Sequence, residues 1–122
     1  MARTYFLVAM SLLWVSACAV REPVAPEPEP APPEDVRQDV IVDLQRQAIQ
    51  RMQQSDHLPA IALLERALMI KPDDVGTYVL LARVHTLNGD RAQARAVLQR
   101  GLLYAPAGSA AERQMTQLLN NP

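Results

Sequence analysis

The 122-residue chain contains few of the residues from which the common specialised sites are built. It has one cysteine, which excludes an internal disulfide, and two histidines, too few for a zinc site made of closely spaced His and Cys ligands. Its four glycines are scattered, so no glycine-rich phosphate loop is present. Twelve basic and 13 acidic residues give a net charge of −1, without the basic footprint that nucleic-acid binding requires. Aromatic residues make up only 4% of the chain, which disfavours a strand-rich fold.

The remaining polar residues do not suggest catalysis. No serine stands beside an oriented base, as a nucleophilic mechanism would need. The acidic pair Asp73 and Asp74 precedes a helical pattern and is typical of helix capping. His57 lies before a helix, and His85 is expected to be a packing residue whose ring nitrogen has a hydrogen-bond partner. We therefore predict a non-enzymatic protein with no metal site and no nucleic-acid partner. A hydrolase acting on envelope components is a weaker hypothesis.

The N-terminus has the pattern of a secretory signal. Arg3 is its only charged side chain, and eleven uncharged residues follow from Tyr5 to Val15, the length of a signal-peptide hydrophobic region. Extending the apolar run to Val20 gives sixteen residues, short of the roughly 18 to 20 needed for a membrane-spanning helix. Two interpretations of this segment are a cleaved secretory peptide with an incidental cysteine and an uncleaved single-pass anchor.

The segment Val15-Ser16-Ala17-Cys18 resembles the lipobox of bacterial lipoproteins. The resemblance implies that residues 1–17 are a signal peptide and that Cys18 carries diacylglycerol and an N-acyl chain, such as palmitate, with no other cofactor. Two or three acyl chains would hold the protein stably on the lipid bilayer. Ala19 follows in place of the aspartate that retains lipoproteins in the inner membrane, which implies a periplasm-facing location on the outer membrane. In a host without an outer membrane the location would be the cell membrane.

Residues 18–35 are predicted to form a spacer after the lipidated cysteine. Six of the eleven residues from Pro23 to Pro33 are proline, and Glu27 and Glu29 lie among them. Proline fixes φ and lacks an amide hydrogen, so this segment is expected to be extended and semi-rigid. Its predicted role is to set a distance from the membrane.

Residues 36–122 favour an all-α domain. Alanine, leucine, glutamine and arginine dominate, and apolar residues recur at spacings of three and four. The pattern predicts five helices, over residues 36–54, 57–70, 74–88, 91–104 and 109–120.

A shift of 34 residues superimposes much of this domain on itself. Seven residue pairs coincide: Ala48 with Ala82, Asp56 with Asp90, Ala60 with Ala94, Leu64 with Leu98, Arg66 with Arg100, Leu68 with Leu102 and Pro72 with Pro106. At these points the chain resembles the tetratricopeptide repeat (TPR), with repeats at about 41–74 and 75–108. The second repeat supplies Tyr78, Leu81-Ala82, His85, Ala94, Leu98, Gly101 and Pro106 in the order of that family. The first departs from it at Gln47 and Arg51.

Local signals agree with this register. The paired alanines, Ala48 with Ala60 and Ala82 with Ala94, allow close helix crossing. Asp90 is expected to cap the fourth helix after a turn at Gly89, and Ser109 with Glu112 forms a capping box. The last helix, 109–120, has a polar outer side that suits a C-terminal cap. The fold class is therefore a short TPR-type α-solenoid of two helix-turn-helix repeats and a capping helix.

The resemblance implies a peptide-binding groove on the first helices of the repeats. By position it would contain eight residues: Gln45, Ile49, Met52, Gln53, Val79, Arg83, Thr86 and Leu87. Their mixture suits a peptide with an apolar anchor and an acceptor for Arg83. The alternative is that several of them pack against the final helix or the N-terminal turns.

We predict a membrane-anchored adaptor for protein–protein interaction in the bacterial envelope, as in pilus or secretion-pore assembly or the regulation of cell-wall enzymes. Because two repeats make a short array, the domain is further expected either to self-associate or to gain stability from a partner. The alternative function is a small structural subunit of a larger membrane complex, without an exchangeable peptide ligand.

Overall fold

The computed structural model describes residues 30–121, which form five α-helices and no strand. Cys18, the residues before it and most of the proline-rich spacer lie outside the described residues. The helices are α1 (Glu34–Gln53), α2 (His57–Ile70), α3 (Val75–Leu87), α4 (Arg91–Leu102) and α5 (Ala110–Asn120). The all-α prediction is confirmed, and α2 has the predicted bounds.

The largest differences in bounds are at the start of α1 and the end of α4. Helix α1 begins at Glu34, two residues earlier than predicted, because Pro33 sets the entering backbone and the acidic Glu34 and Asp35 favour a first turn. Helix α4 ends at Leu102 rather than residue 104. Tyr104 lies in the following turn, where its ring stacks on that of Tyr78 at a centroid distance of 5.8 Å.

Consecutive helices pack against one another in chain order, as in an array of helical hairpins. The crossing alanines are buried as expected: Ala48 and Ala60 are fully buried, and Ala82 and Ala94 are at most 5% exposed. Leu64 and Leu98 fill the adjoining positions. Six of the residues that the 34-residue repeat superimposes therefore lie in the buried interior.

Side-chain caps fix three of the helix starts. Asp74 accepts from the backbone N–H of Thr77, Asp90 from that of Gln93, and Ser109 from that of Glu112. The choice that the sequence left open between Asp73 and Asp74 therefore falls on Asp74. At α2 the N-cap Asp56 makes no such bond.

The helix α5 closes the described array with Met115 fully buried and its opposite side polar. Glu112 reaches back to accept from the backbone N–H of Gly108, which completes the predicted capping box one residue early. Among the described helices, none is both long and apolar enough to cross a bilayer.

Candidate functional site

The first helices of the two repeats lie side by side and are joined by a polar contact. The Gln45 side chain, on α1, donates from Nε2 to Asp74 Oδ2 at 2.9 Å and to Thr77 Oγ1 at 2.8 Å. Thr77 is fully buried, and the Asp74 carboxylate also caps α3. This network fixes the start of α3 against α1, and it occupies the amide of a residue predicted to contact a ligand.

The eight residues of the predicted groove divide into two groups. Gln45, Met52 and Val79 are half-buried, and Met52 and Val79 pack against the two halves of the core. Five are exposed: Ile49, Gln53, Arg83, Thr86 and Leu87. Val42, which the sequence reasoning missed, is also exposed, and it lies seven residues before Ile49 on the same face of α1. On α1 the exposed part of this face is therefore apolar except for Gln53, and on α3 it carries Arg83.

Three of the exposed groove residues, Arg83, Thr86 and Leu87, line a cavity of about 130 Å³ at the end of α3. The cavity lies where α3 ends, α4 begins and α5 ends. Its apolar walls are formed by residues of all three helices: Ala82, Leu87, Ala94, Leu98, Leu118 and Leu119. We call this space the α3–α5 cavity.

The α3–α5 cavity exists because α5 fills its place less completely than α3 fills the equivalent one. A further shift of 34 residues aligns α5 with α3, so that Leu118 corresponds to Val84 and Gln114 to Leu80. Val84 is fully buried against the first repeat, and Leu80 packs beside it. Leu118 is only partly buried, and Gln114 is exposed to solvent. The second repeat is thus left with an open apolar space at the position that α3 fills in the first repeat.

Three arginines line the α3–α5 cavity together with its apolar walls. Arg83 comes from α3, and Arg91 and Arg95 come from the first turns of α4. No aspartate or glutamate lines the cavity, and none of the ion pairs between described residues includes these arginines. Asp90, the adjacent acid in the chain, uses its carboxylate to cap α4. The site therefore combines an apolar interior with three arginines that form no ion pair among residues 30–121.

Arg91 and Arg95, which line the cavity, were not among the site residues predicted from the sequence. A usable signal was present in the 34-residue shift. It places Arg91 on His57 and Arg95 on Ile61, so these positive charges belong to the second repeat alone. The same shift aligns Arg83, the third arginine of the cavity, with Ile49.

The described residues show no group that could hold a metal ion. No group of three or more His, Cys, Asp or Glu side chains converges within residues 30–121. His85 is half-buried, in keeping with a packing role, but its Nδ1 is buried without a hydrogen-bond partner among the described residues. The expectation of a satisfied ring nitrogen is therefore wrong for Nδ1.

The fold is that of a helical-hairpin repeat protein, and its first helices carry a partly exposed face beside the α3–α5 cavity. The tetratricopeptide repeat family matches residues 51–118, which is more than half of the chain. The chain belongs to the tetratricopeptide repeat family. Repeats of this kind generally mediate protein–protein interaction rather than catalysis. Searches of curated proteins and of solved structures gave no match.

Proposed function

We propose that this chain is a lipid-anchored tetratricopeptide adaptor that holds a protein partner in the bacterial envelope. The interaction role has the support of the repeat family and of the exposed face formed by α1 and α3. The observation that carries the proposal is the α3–α5 cavity, an apolar space beside exposed residues of the first helices. Such spaces accept the anchoring side chains of a partner.

The lipid anchor is supported by the sequence Val15-Ser16-Ala17-Cys18 and by the cysteine at its end being the only one in the chain. Lipidation there would leave no free thiol in an oxidising compartment. The proline-rich residues 23–33 would then separate the repeats from the bilayer. Outer-membrane sorting is part of the proposal because Ala19 follows the cysteine.

Fatty-acid labelling in cells tests the anchor. We expect labelled palmitate in the chain and its loss in Cys18→Ala, with the protein then leaving the membrane fraction. Ala19→Asp is the matched control, since it keeps the cysteine and should retain the label while moving the protein to the inner membrane. Membrane association that survives Cys18→Ala without label would contradict lipid anchoring.

Photo-crosslinking in cells tests the adaptor role separately. A photoreactive side chain replaces Leu87, which is 54% exposed beside the α3–α5 cavity, or Met69, which is 82% exposed on α2 and does not line that cavity. We expect a discrete protein adduct at Leu87 and none of the same mass at Met69. Equal adducts at both positions, or none at Leu87, would contradict a partner on this surface.

A further inference from the structure

We propose that the α3–α5 cavity takes one apolar side chain from an acidic peptide segment of the partner. The three arginines would pair with carboxylates that flank the anchoring side chain. This inference rests on the proposed function and names the chemistry of its ligand. It also places recognition partly on α4, outside the eight residues predicted from the first helices.

The size of the α3–α5 cavity limits what it can hold. Apolar cavities of about 150 Å³ accept a benzene-sized molecule. At about 130 Å³ this cavity matches a single aromatic ring or branched aliphatic group. A long acyl chain would need a deeper space. The cavity therefore favours one anchoring side chain over a fatty acid.

The charge beside the cavity selects the residues around that anchor. Arg83, Arg91 and Arg95 present three guanidinium groups with no carboxylate among the cavity-lining residues. Arginine pairs with carboxylates through two parallel hydrogen bonds, which adds geometric specificity to the attraction. A basic segment would meet three like charges at the same place, and such repulsion excludes wrong partners. An acidic segment is the complementary ligand.

The apolar walls explain why charge alone is insufficient. Leu87, Leu118 and Leu119 leave partly exposed apolar surface at the cavity. Covering that surface removes it from water, which is the main favourable term in most associations. Exposed ion pairs contribute much less. The apolar anchor should therefore supply most of the affinity, and the arginines most of the selectivity.

The test uses the full chain in non-ionic detergent and a fluorescent octapeptide as the probe. The probe carries one central phenylalanine, two glutamates on each side and glycine elsewhere, with both ends blocked. Fluorescence anisotropy should show saturable binding that weakens as salt is added. Replacing the phenylalanine by alanine should weaken binding at least about tenfold. Replacing the glutamates by glutamine should weaken it by about fivefold or more.

Two arginine variants locate the binding. Arg95→Gln should weaken binding of the probe by roughly two- to fivefold, the range that corresponds to the loss of an exposed ion pair. Arg66→Gln is the matched control, because it removes the same charge from an exposed position of α2 that does not line the cavity, and it should leave binding unchanged. Both sites are exposed, so both variants should keep the helical circular dichroism of the parent.

Several results would overturn the inference. Equal binding of the glutamine peptide, or equal losses in Arg95→Gln and Arg66→Gln, would remove the role of the arginines. Displacement of the probe by decanoate at a lower concentration than by unlabelled peptide would make the ligand a lipid. A dimer in size-exclusion chromatography that Arg95→Gln dissociates would make the occupant a second copy of the chain.

Failure of the acidic-anchor chemistry and failure of the adaptor role would give different combinations of results. A protein adduct at Leu87 in cells, together with no probe binding, would overturn the acidic-anchor chemistry and leave the adaptor role standing. Probe binding that depends on Arg95, without any adduct at Leu87, would support the ligand chemistry and contradict the adaptor role.

Discussion

The two repeats of this domain have the same helix-turn-helix backbone, but different residues pack between the two helices of each repeat. In the first repeat Leu44 of α1 lies in one buried cluster with Ala67 of α2. At the corresponding positions of the second repeat, Tyr78 of α3 lies directly against Gly101 of α4. The larger ring is accommodated by removing a methyl group from the opposite helix. Repeat positions are therefore matched in pairs, and neither residue of a pair can be understood alone.

The repeats also differ in what covers them. Helix α3 covers the first repeat with Leu80, Leu81 and Val84, whereas α5 leaves the α3–α5 cavity beside the second. Arg83, Arg91 and Arg95 lie where this cover is incomplete. This difference leaves an apolar space beside the second repeat that is available for a ligand.

Truncating the equivalent leucines of the two repeats should produce the largest losses of stability. Comparing the two losses measures how completely each repeat is covered. Leu64 is completely buried, while Leu98 lines the α3–α5 cavity. Leu64→Ala should lower the free energy of unfolding by a value near the top of the range of about 2–5 kcal/mol, and Leu98→Ala by one near the bottom. Urea unfolding followed by circular dichroism gives both values. Equal costs, or a larger cost for Leu98→Ala, would contradict the stated difference in cover.

Substitutions in the Tyr78–Gly101 pair should have the next largest effect on the stability of the domain. A Cβ added at Gly101 would lie 2.7 Å from Tyr78 Cβ, so Gly101→Ala should destabilise the domain by about 1–3 kcal/mol. Gly76→Ala is the control: its nearest side-chain atoms lie 3.7 Å away, and alanine should be neutral or stabilising by up to about 1 kcal/mol. Combining Gly101→Ala with Tyr78→Leu recreates the Leu44–Ala67 pairing and should cost less than the sum of the two single changes. Simple additivity would contradict the pairing.

Replacing the aspartates at the starts of three helices by alanine should give smaller losses of stability, graded by the number of hydrogen bonds that each aspartate accepts. Asp74 accepts hydrogen bonds from two side chains and the Thr77 N–H, Asp90 caps one N–H, and Asp56 caps none. We expect losses of about 2 kcal/mol for Asp74→Ala, about 1 for Asp90→Ala and about 0.5 or less for Asp56→Ala. Thermal unfolding of the three variants tests the order. A loss for Asp56→Ala as large as that for Asp90→Ala would contradict the difference in capping.

A small dependence of stability on alkaline pH should come from the second repeat. Burial raises the pKa of the Tyr78 hydroxyl above its ordinary value of 10.0, with Arg100 opposing that shift. The unfolded chain therefore loses the proton first, so stability falls as pH rises above about 10, by less than about 1.4 kcal/mol per pH unit. Tyr78→Phe should flatten this slope, at a cost of about 1 kcal/mol at neutral pH for the lost bond to the Pro72 carbonyl. An unchanged slope would assign the effect to other groups.

Much of the fold could be predicted because the 34-residue shift carries its own check. Ala48 recurs as Ala82 after 34 residues, and the same register makes Leu64 a packing residue and places Asp90 at a helix N-terminus. The burial of the two alanines and the leucine and the capping by Asp90 are all confirmed. Local chemistry and repeat register agree at these positions, so the sequence signal is strong.

The site was less predictable because it depends on how completely one helix covers another. Val79 and Met52 satisfy the groove pattern, yet both pack inward because α5 and α2 lie close to them. Arg91 and Arg95 lie on an exposed helical face, and nothing in their spacing reveals the cavity beside them. That cavity results from the side-chain volumes of α5, which only the packed structure shows.

The most direct test of the central claim is to map which part of the partner touches the second repeat. Partner peptides crosslinked in cells to the photoreactive side chain at position 87 can be sequenced by mass spectrometry. We expect a segment in which an aromatic or branched aliphatic residue is flanked by aspartate or glutamate, and we expect this crosslink to be lost in Arg95→Gln but not in Arg66→Gln. A basic or uncharged segment, or a peptide from a second copy of this chain, would contradict it.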